Sequence, residues 1–531
     1  MRAAALVLTI NRARRIKCDE CKPHCDRCTT TGRKCDGYAP PKTDHGLATY
    51  RPRQALSGSR ARGEGRALQF FREKAGPSLS AETDPQFWTQ LVMQFSSFEP
   101  SVRHAVVAIS ALYEEFNHKT QPEVRLGDNR LALRHYNAAI RELKSMENPS
   151  IVLLVCILFT CIECLQSNKE AAIRHCKAGI AIMESATPAH PWTKEHLLPI
   201  FRRLSIVPFF FRSASADFAN LIAWYDPVPT TCCSFSDAQT MMDDIFCRTV
   251  QLVRLGDAHR IGSSRYQPVP PELLAEQEKI VSLLDQWQVL FADFDTGLTS
   301  QTTTVTKNLD TGQDIINDML RWFLVMRHQI CRIWSETAFS AHETRYDAYL
   351  DSFRRLIARA KTFDTLVTDE YNTTACSPKF IFETGFMAML FFVVTKCRCL
   401  DTRLEALRLM RILGIDQENL WGVSAIYGVV RRVIEIEHEV LLDESGQPWA
   451  PASCPGLPPD EMRVRDTLTE PNASVNTSMH GFEVRGRIVG FFMRTLDDSI
   501  YLHIEFLASK MNGVSPGMNR PRVPIRPTIT I

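Results

Sequence analysis

Five cysteines and eight Lys/Arg residues fall within residues 11–38, which read N-R-A-R-R-I-K-C-D-E-C-K-P-H-C-D-R-C-T-T-T-G-R-K-C-D-G-Y. Cys18, Cys25, Cys28 and Cys35 stand in the spacing C-x6-C-x2-C-x6-C. Thiolates a few residues apart can converge on a soft divalent cation, held tetrahedrally at about 2.3 Å per Zn–S bond. A segment this short buries no core of its own, so bound metal would supply its folding free energy. Beside the thiols stand Arg12, Arg14, Arg15, Lys17 and Lys22. Metal chemistry therefore sits next to phosphate chemistry.

Residues 12–38 resemble the fungal Zn2Cys6 binuclear zinc-cluster DNA-binding domain. The likeness is carried by Lys17-Cys18-Asp19, Pro23, Cys25-x2-Cys28 and Cys35-Asp36-Gly37-Tyr38. The family's first two cysteines would fall at positions 8 and 11, where this chain has Leu8 and Asn11. The resemblance implies two zinc ions in a complete cluster, with Cys18 a terminal ligand of the first, Cys25 a bridging ligand, and Cys28 and Cys35 terminal ligands of the second. Four matched ligands cannot fill that site, so at most one Zn2+ is expected for the sequence as written. Cys21 has no family counterpart; it can complete a single four-thiolate site with Cys25, Cys28 and Cys35, or compete with Cys18. The abrupt onset of the match at Arg12 points to a misassigned start or intron in the gene model, with 1–11 outside the family pattern. A degenerate cluster or a real truncated isoform is the other explanation.

By the same resemblance, the basic loop forms a short helix that enters the major groove of double-stranded DNA. Arg14 and Arg15 take the places of the base-reading pair, since arginine can donate to guanine O6 and N7. Arg12, Lys17 and Lys22 then contact phosphates.

The rest of the chain must carry and regulate that head. Its 531 residues suffice for two or three domains, and a 45% hydrophobic fraction supports a sizeable core. The overall charge of +2 hides an asymmetry. Residues 1–75 hold 17 Lys/Arg against 7 Asp/Glu, about +10, which leaves the remainder near −8. A basic head on a mildly acidic body fits nucleic-acid contact at one end. The twelve cysteines beyond Cys35 are scattered, several in apolar helical segments, as reduced intracellular cysteines are.

Residues 39–65 lack apolar periodicity and read as a flexible basic linker. The heptads that a dimerising coiled coil would need are missing from it. From 66 onward the pattern is helical. Apolar residues recur on one helix face at Phe87, Trp88, Leu91, Val92 and Phe95, and again at Val102, Val106, Ile109, Leu112 and Tyr113 after Pro100. Further helices are predicted over 131–146, 150–165 and 169–183. The segment Phe87-Trp88-x2-Leu91-Val92, followed by Ser97-Phe98-Glu99-Pro100-Ser101-Val102-Arg103-His104-Ala105-Val106, is similar to the start of the second fungal-specific transcription-factor domain. That resemblance implies an all-α regulatory region, here extended over 66–505, with a flexible tail over 506–531. The apolar runs 151–162 and 386–394 are too short to span a bilayer and read as buried core helices. A pocket between them is where a small-molecule effector, apolar in character, would bind, against the competing reading of a solid core.

Other motifs weigh less. Cys161-x2-Cys164 lies in an apolar helix without a partner pair, so both read as core cysteines. Gly513-x-Ser515-x-Gly517 lies in a proline-rich tail rather than the strand–helix turn of a nucleophile elbow. His104 and His135 read as core histidines, and the sequons at Asn372, Asn472 and Asn476 carry no meaning in a nucleus. No His, carboxylate or phosphate-loop constellation converges, which argues against an enzyme. The sequence thus predicts a nuclear DNA-binding transcription factor in a fungus, all-α beyond its zinc module, with double-stranded DNA as partner. A homodimer and a small-molecule effector are further candidate partners, and no membrane is involved. The alternative is a helical interaction protein whose degenerate cluster no longer binds DNA.

Overall fold

Local capping signals set the helix starts. Asn129 accepts the Ala132 N–H at 3.0 Å and opens α2; Asn148 accepts the Ser150 N–H at 3.0 Å, ahead of Pro149, and opens α3. The computed structural model describes residues 63–80, 86–118, 124–185, 192–206, 228–302, 311–371, 378–479 and 482–508. Within them, after helical stretches over 64–80 and 87–96, come α1 Pro100–His118, α2 Arg130–Leu143, α3 Pro149–Leu165, α4 Lys169–Ser185 and α5 Leu198–Ser205. The chain continues with α6 Phe235–Leu255, α7 Pro271–Thr302, α8 Thr311–Glu336 and α9 Leu350–Tyr371. The last three helices are α10 Phe386–Lys396, α11 Leu400–Leu413 and α12 Val423–His438.

The predicted stripe on α1 is buried throughout, at Val102, Val106, Ile109, Leu112 and Tyr113. α1 packs on α2 and α3, and α3 on α4. α3 is buried on nearly every side, as its unbroken apolar run requires. α10 is the corresponding centre of a second group, against α11, α12 and α8. A small sheet ties the two groups together. β1 Phe380–Ile381 pairs in parallel with β2 Gln417–Glu418, which pairs antiparallel with β3 Trp421–Gly422. The Tyr113 hydroxyl donates to the Phe380 carbonyl at 3.1 Å, and Asn419 Nδ2 to the Phe382 carbonyl at 2.9 Å, so α1 and the β2–β3 turn grip the same strand.

The all-α expectation needs correction. The described residues are mostly helical, but 466–508 form an antiparallel sheet of β4 Asp466–Met479, β5 Phe482–Arg494 and β6 Ile500–Ala508. Pairs such as Phe491↔His503 and Met493↔Tyr501 set the β5–β6 register. Val489, Phe491 and Met493 turn one face onto Val429 and Val433 of α12. Successive side chains of a strand point to opposite faces, so Val489, Phe491 and Met493, two apart, share the buried one. Glu505, expected as the last residue of a helical region, lies in β6, which continues through Ala508.

Candidate functional site

The residues singled out for metal and DNA chemistry, Cys18, Cys21, Cys25, Cys28, Cys35, Arg12, Arg14, Arg15, Lys17 and Lys22, lie outside the described residues, as do 39–62 of the linker and 509–531 of the tail. Among the described residues, no group of three or more His, Cys, Asp and Glu side chains is placed to hold a metal ion. No described helix is long and apolar enough to cross a membrane.

A buried polar cluster lies where α10, α11 and α12 meet the segment entering β4. Arg398, Arg403, Arg463 and Arg465 are among the largest fully buried side chains of the molecule. Glu343 receives Lys396 Nζ at 2.9 Å and Arg398 Nη2 at 3.0 Å. Glu437 accepts from Arg403 Nη1 at 2.7 Å, Arg398 Nη2 at 3.4 Å and the Val464 N–H at 2.7 Å. Arg463 grips Asp347 through both terminal nitrogens at 2.7 and 2.8 Å, while Arg465 reaches Asp460 at 2.6 Å. Arg254 and Arg260 both meet Asp466, the first residue of β4, at 3.0 and 3.2 Å.

Desolvation sets the cost of this cluster and pairing offsets it. Burial alone would raise the Glu343 carboxyl, yet Lys396, Arg398 and Arg260 hold it down at about 2. Burial pushes the Lys396 ammonium down to about 8 despite Glu343, because Arg260 and Arg398 crowd it with like charge. Every carboxylate here is taken by a cation or an N–H, so none is free to act as a general base. The cluster is a clamp that joins helices to sheet. Its residues escape sequence reading because charges read as surface by default; the only hint is that Lys396-Cys397-Arg398 directly follows an apolar run.

Smaller features follow the sequence expectations. Cys161 and Cys164 are buried thiols, and burial raises both well above the usual range. His104 and His135 meet through their Nδ1 atoms at 2.9 Å across α1 and α2, His135 buried and His104 half-buried, and burial lowers the pKa of both. A cavity of about 10 Å³, lined by residues such as Thr160, Cys164, Cys176, Leu204 and Asn419, lies among α3, α4, α5 and the β2–β3 turn. It has room for about one water and is far below the roughly 300–1,000 Å³ of ligand pockets.

Part of the body is similar to known proteins. Residues 66–322 match the fungal specific transcription factor domain. The match begins in the helical stretch over 64–80 and ends within α8. Over 228 residues the chain is 30% identical to the aspercryptin biosynthesis cluster-specific transcription regulator atnN of Emericella nidulans, covering 35% of this chain and 36% of that protein. Over 205 residues it is 28% identical to the transcription regulator lscL of Purpureocillium lilacinum, covering 33% of this chain and 47% of that protein. The matched stretch thus spans between a third and a half of each relative's length. No solved structure matches the chain. The domain and both relatives are transcription regulators, not enzymes.

Proposed function

We propose that the chain is a nuclear, sequence-specific DNA-binding regulator of RNA polymerase II transcription in a fungus. Its zinc-cluster segment reads CGG-type half-sites, and its helical body carries the regulatory response. The order of the parts carries this reading: a basic cysteine block at 12–38 precedes a body whose residues 66–322 match a fungal specific transcription factor domain. Cys18, Cys25, Cys28 and Cys35, with Cys21 as a substitute ligand, would hold zinc, which gives the segment its shape. Arg14 and Arg15 would read bases, and Arg12, Lys17 and Lys22 would neutralise phosphates.

The test is fluorescence anisotropy of the full chain on CGG-containing duplexes, with and without a zinc chelator. Arg14→Ala or Arg15→Ala should lose roughly 1–3 kcal/mol on a CGG site and relax specificity there. Lys22→Ala should weaken binding evenly across sequences and lower the salt slope by about one. Leu8 and Asn11, standing where the family has cysteines, favour a second reading: a helical interaction protein that competes with intact regulators. Absence of zinc-dependent DNA binding, together with at most one zinc by native mass spectrometry, would select it.

A further inference from the structure

The two edges of the C-terminal sheet are built differently. Edge strand β4 carries Pro471 inside a register break between Thr469 and Ser474, a device that keeps another strand from adding there. β6, reading I-Y-L-H-I-E-F-L-A, has no proline, glycine, lysine or arginine and keeps unbroken register with β5 from Ile500 to Ala508. Among the described residues no strand pairs with its outer edge. Tyr501 through Leu507 are all partly exposed. A long, regular, largely apolar edge without proline or lysine is a template for a further strand.

We propose that β6 is the homodimer interface of this protein: the β6 strands of two copies pair antiparallel about Ile504, joining two three-stranded sheets into one of six strands. The occupant follows from the strand's self-complementarity. Centred on Ile504, the pairing sets His503 opposite Glu505 of the second copy and Glu505 opposite its His503. Leu502 then meets Phe506, Tyr501 meets Leu507, and Ile504 meets itself.

Moving the centre to His503 would oppose two histidines. Moving it to Glu505 would oppose two carboxylates, which is unfavourable in directly facing pairs. Shifting by one residue would put the face that packs on α12 against the opposite face of the second copy. Charge and face parity therefore favour the register centred on Ile504 over these neighbours. Glu505 is held ready for it: Arg432 grips both carboxylate oxygens at 2.7 and 2.9 Å, and His503 Nε2 stands 2.8 Å away. The interface does not depend on the DNA-binding reading, and it supplies the dimer contact for which the linker offers no heptads.

Strand pairing alone buries less than the roughly 1,200 Å² at the low end of stable interfaces, so the dimer should be weak and concentration-dependent. Sedimentation equilibrium on the full chain should show a monomer–dimer equilibrium. Ile504→Lys places two ammonium groups face to face at the two-fold and should raise the dimer Kd by about tenfold or more, with thermal unfolding of the monomer unchanged. Ile504→Cys should give a disulfide-linked dimer under mild oxidation, whereas Leu502→Cys, whose two copies lie about four residues apart along the strands, should not. A wild-type chain that stays monomeric to about 100 μM overturns the proposal, as does an Ile504→Lys chain that dimerises as tightly as wild type. A chain that dimerises only after residues 509–531 are deleted would assign the edge to the protein's own tail and equally overturn it.

Discussion

Glu418 and Glu343 are both fully buried carboxylates, and their surroundings push them in opposite directions. Glu343 faces three cations and is held down at about 2. Glu418, in β2, is held by backbone N–H groups: burial raises it to about 7, and the Met387 and Gly385 N–H groups that donate to its Oε2 at 3.1 and 2.8 Å only limit the rise. The close fit explains Gly385, where a Cβ would stand 2.9 Å from that carboxylate. Between pH 4.5 and 7 the folded state holds a proton on Glu418 that the unfolded state has lost, so stability from this group falls as pH rises through that window. The expected loss is about 3 kcal/mol at 1.36 per unit. Buried His328, lowered from 6.5 to about 4 by desolvation, acts in the opposite sense: its contribution is full above 6.5 and is lost as pH falls towards 4. The wild-type profile is therefore a difference of opposing terms. Glu418→Gln keeps an acceptor oxygen for the two N–H groups and removes one of them. Urea denaturation should show the variant gaining on wild type by up to about 3 kcal/mol between pH 4 and pH 8. A constant gap across pH would mean that Glu418 titrates alike in the folded and unfolded chain.

At the scale of elements, α4 and α5 approach so closely that a Cβ on Gly179 would overlap the buried ring of Phe201. Alanine is the better helix former by about 1 kcal/mol, but overpacking a filled core costs about 1–3. Gly179→Ala should therefore lower the thermal midpoint despite the gain in propensity; a higher midpoint would show that α5 can retreat at no cost. The helices themselves were legible in the sequence. The stripe on α1 and the apolar runs within α3 and α10 sit where period and length put them, because burial of one helix face is written at 3.6-residue spacing. The terminal sheet was not legible. β5 mixes Arg485, Gly486, Arg487 and Gly490 among its apolar residues, and β4 is rich in Asn, Ser and Thr. Neither gives the clean alternation that marks a strand, and the identity of a strand's partners lies in no local window. The clamp at Glu343 and Glu437 was hidden for a related reason. A buried charge is recognisable only once its partner, often tens to more than a hundred residues away, is known.

For the whole molecule, the end of the domain match at 322 is not the end of the folding unit. Contacts cross that boundary at every layer: Tyr113 to Phe380, Cys164 Sγ to Asn419 at 3.4 Å, and Arg203 to both oxygens of Glu383 at 2.8 and 3.0 Å. Arg254 and Arg260 reach Asp466 in β4, and Trp88 packs edge-on to Phe382 with ring centroids 5.2 Å apart. Cutting the chain at 322 would split α8, leave Arg203 without Glu383 and Arg254 without Asp466, and expose the apolar surface of α1 and α3 that now meets β1 and the β2–β3 turn. Arg203 keeps Asp243 and Arg254 keeps Asp257, so the loss falls chiefly on apolar burial, worth about 25 cal/mol per Å², against a total stability of about 5–15 kcal/mol for a domain. Residues 63–322 expressed alone should therefore fail to show a cooperative urea transition and should expose apolar surface to a dye such as ANS, whereas 63–508 should unfold in one cooperative step. A sharp transition for the shorter chain, with native helix content, would mean that the contacts from Phe380, Glu383, Asn419 and Asp466 decorate an independent helical domain rather than complete it.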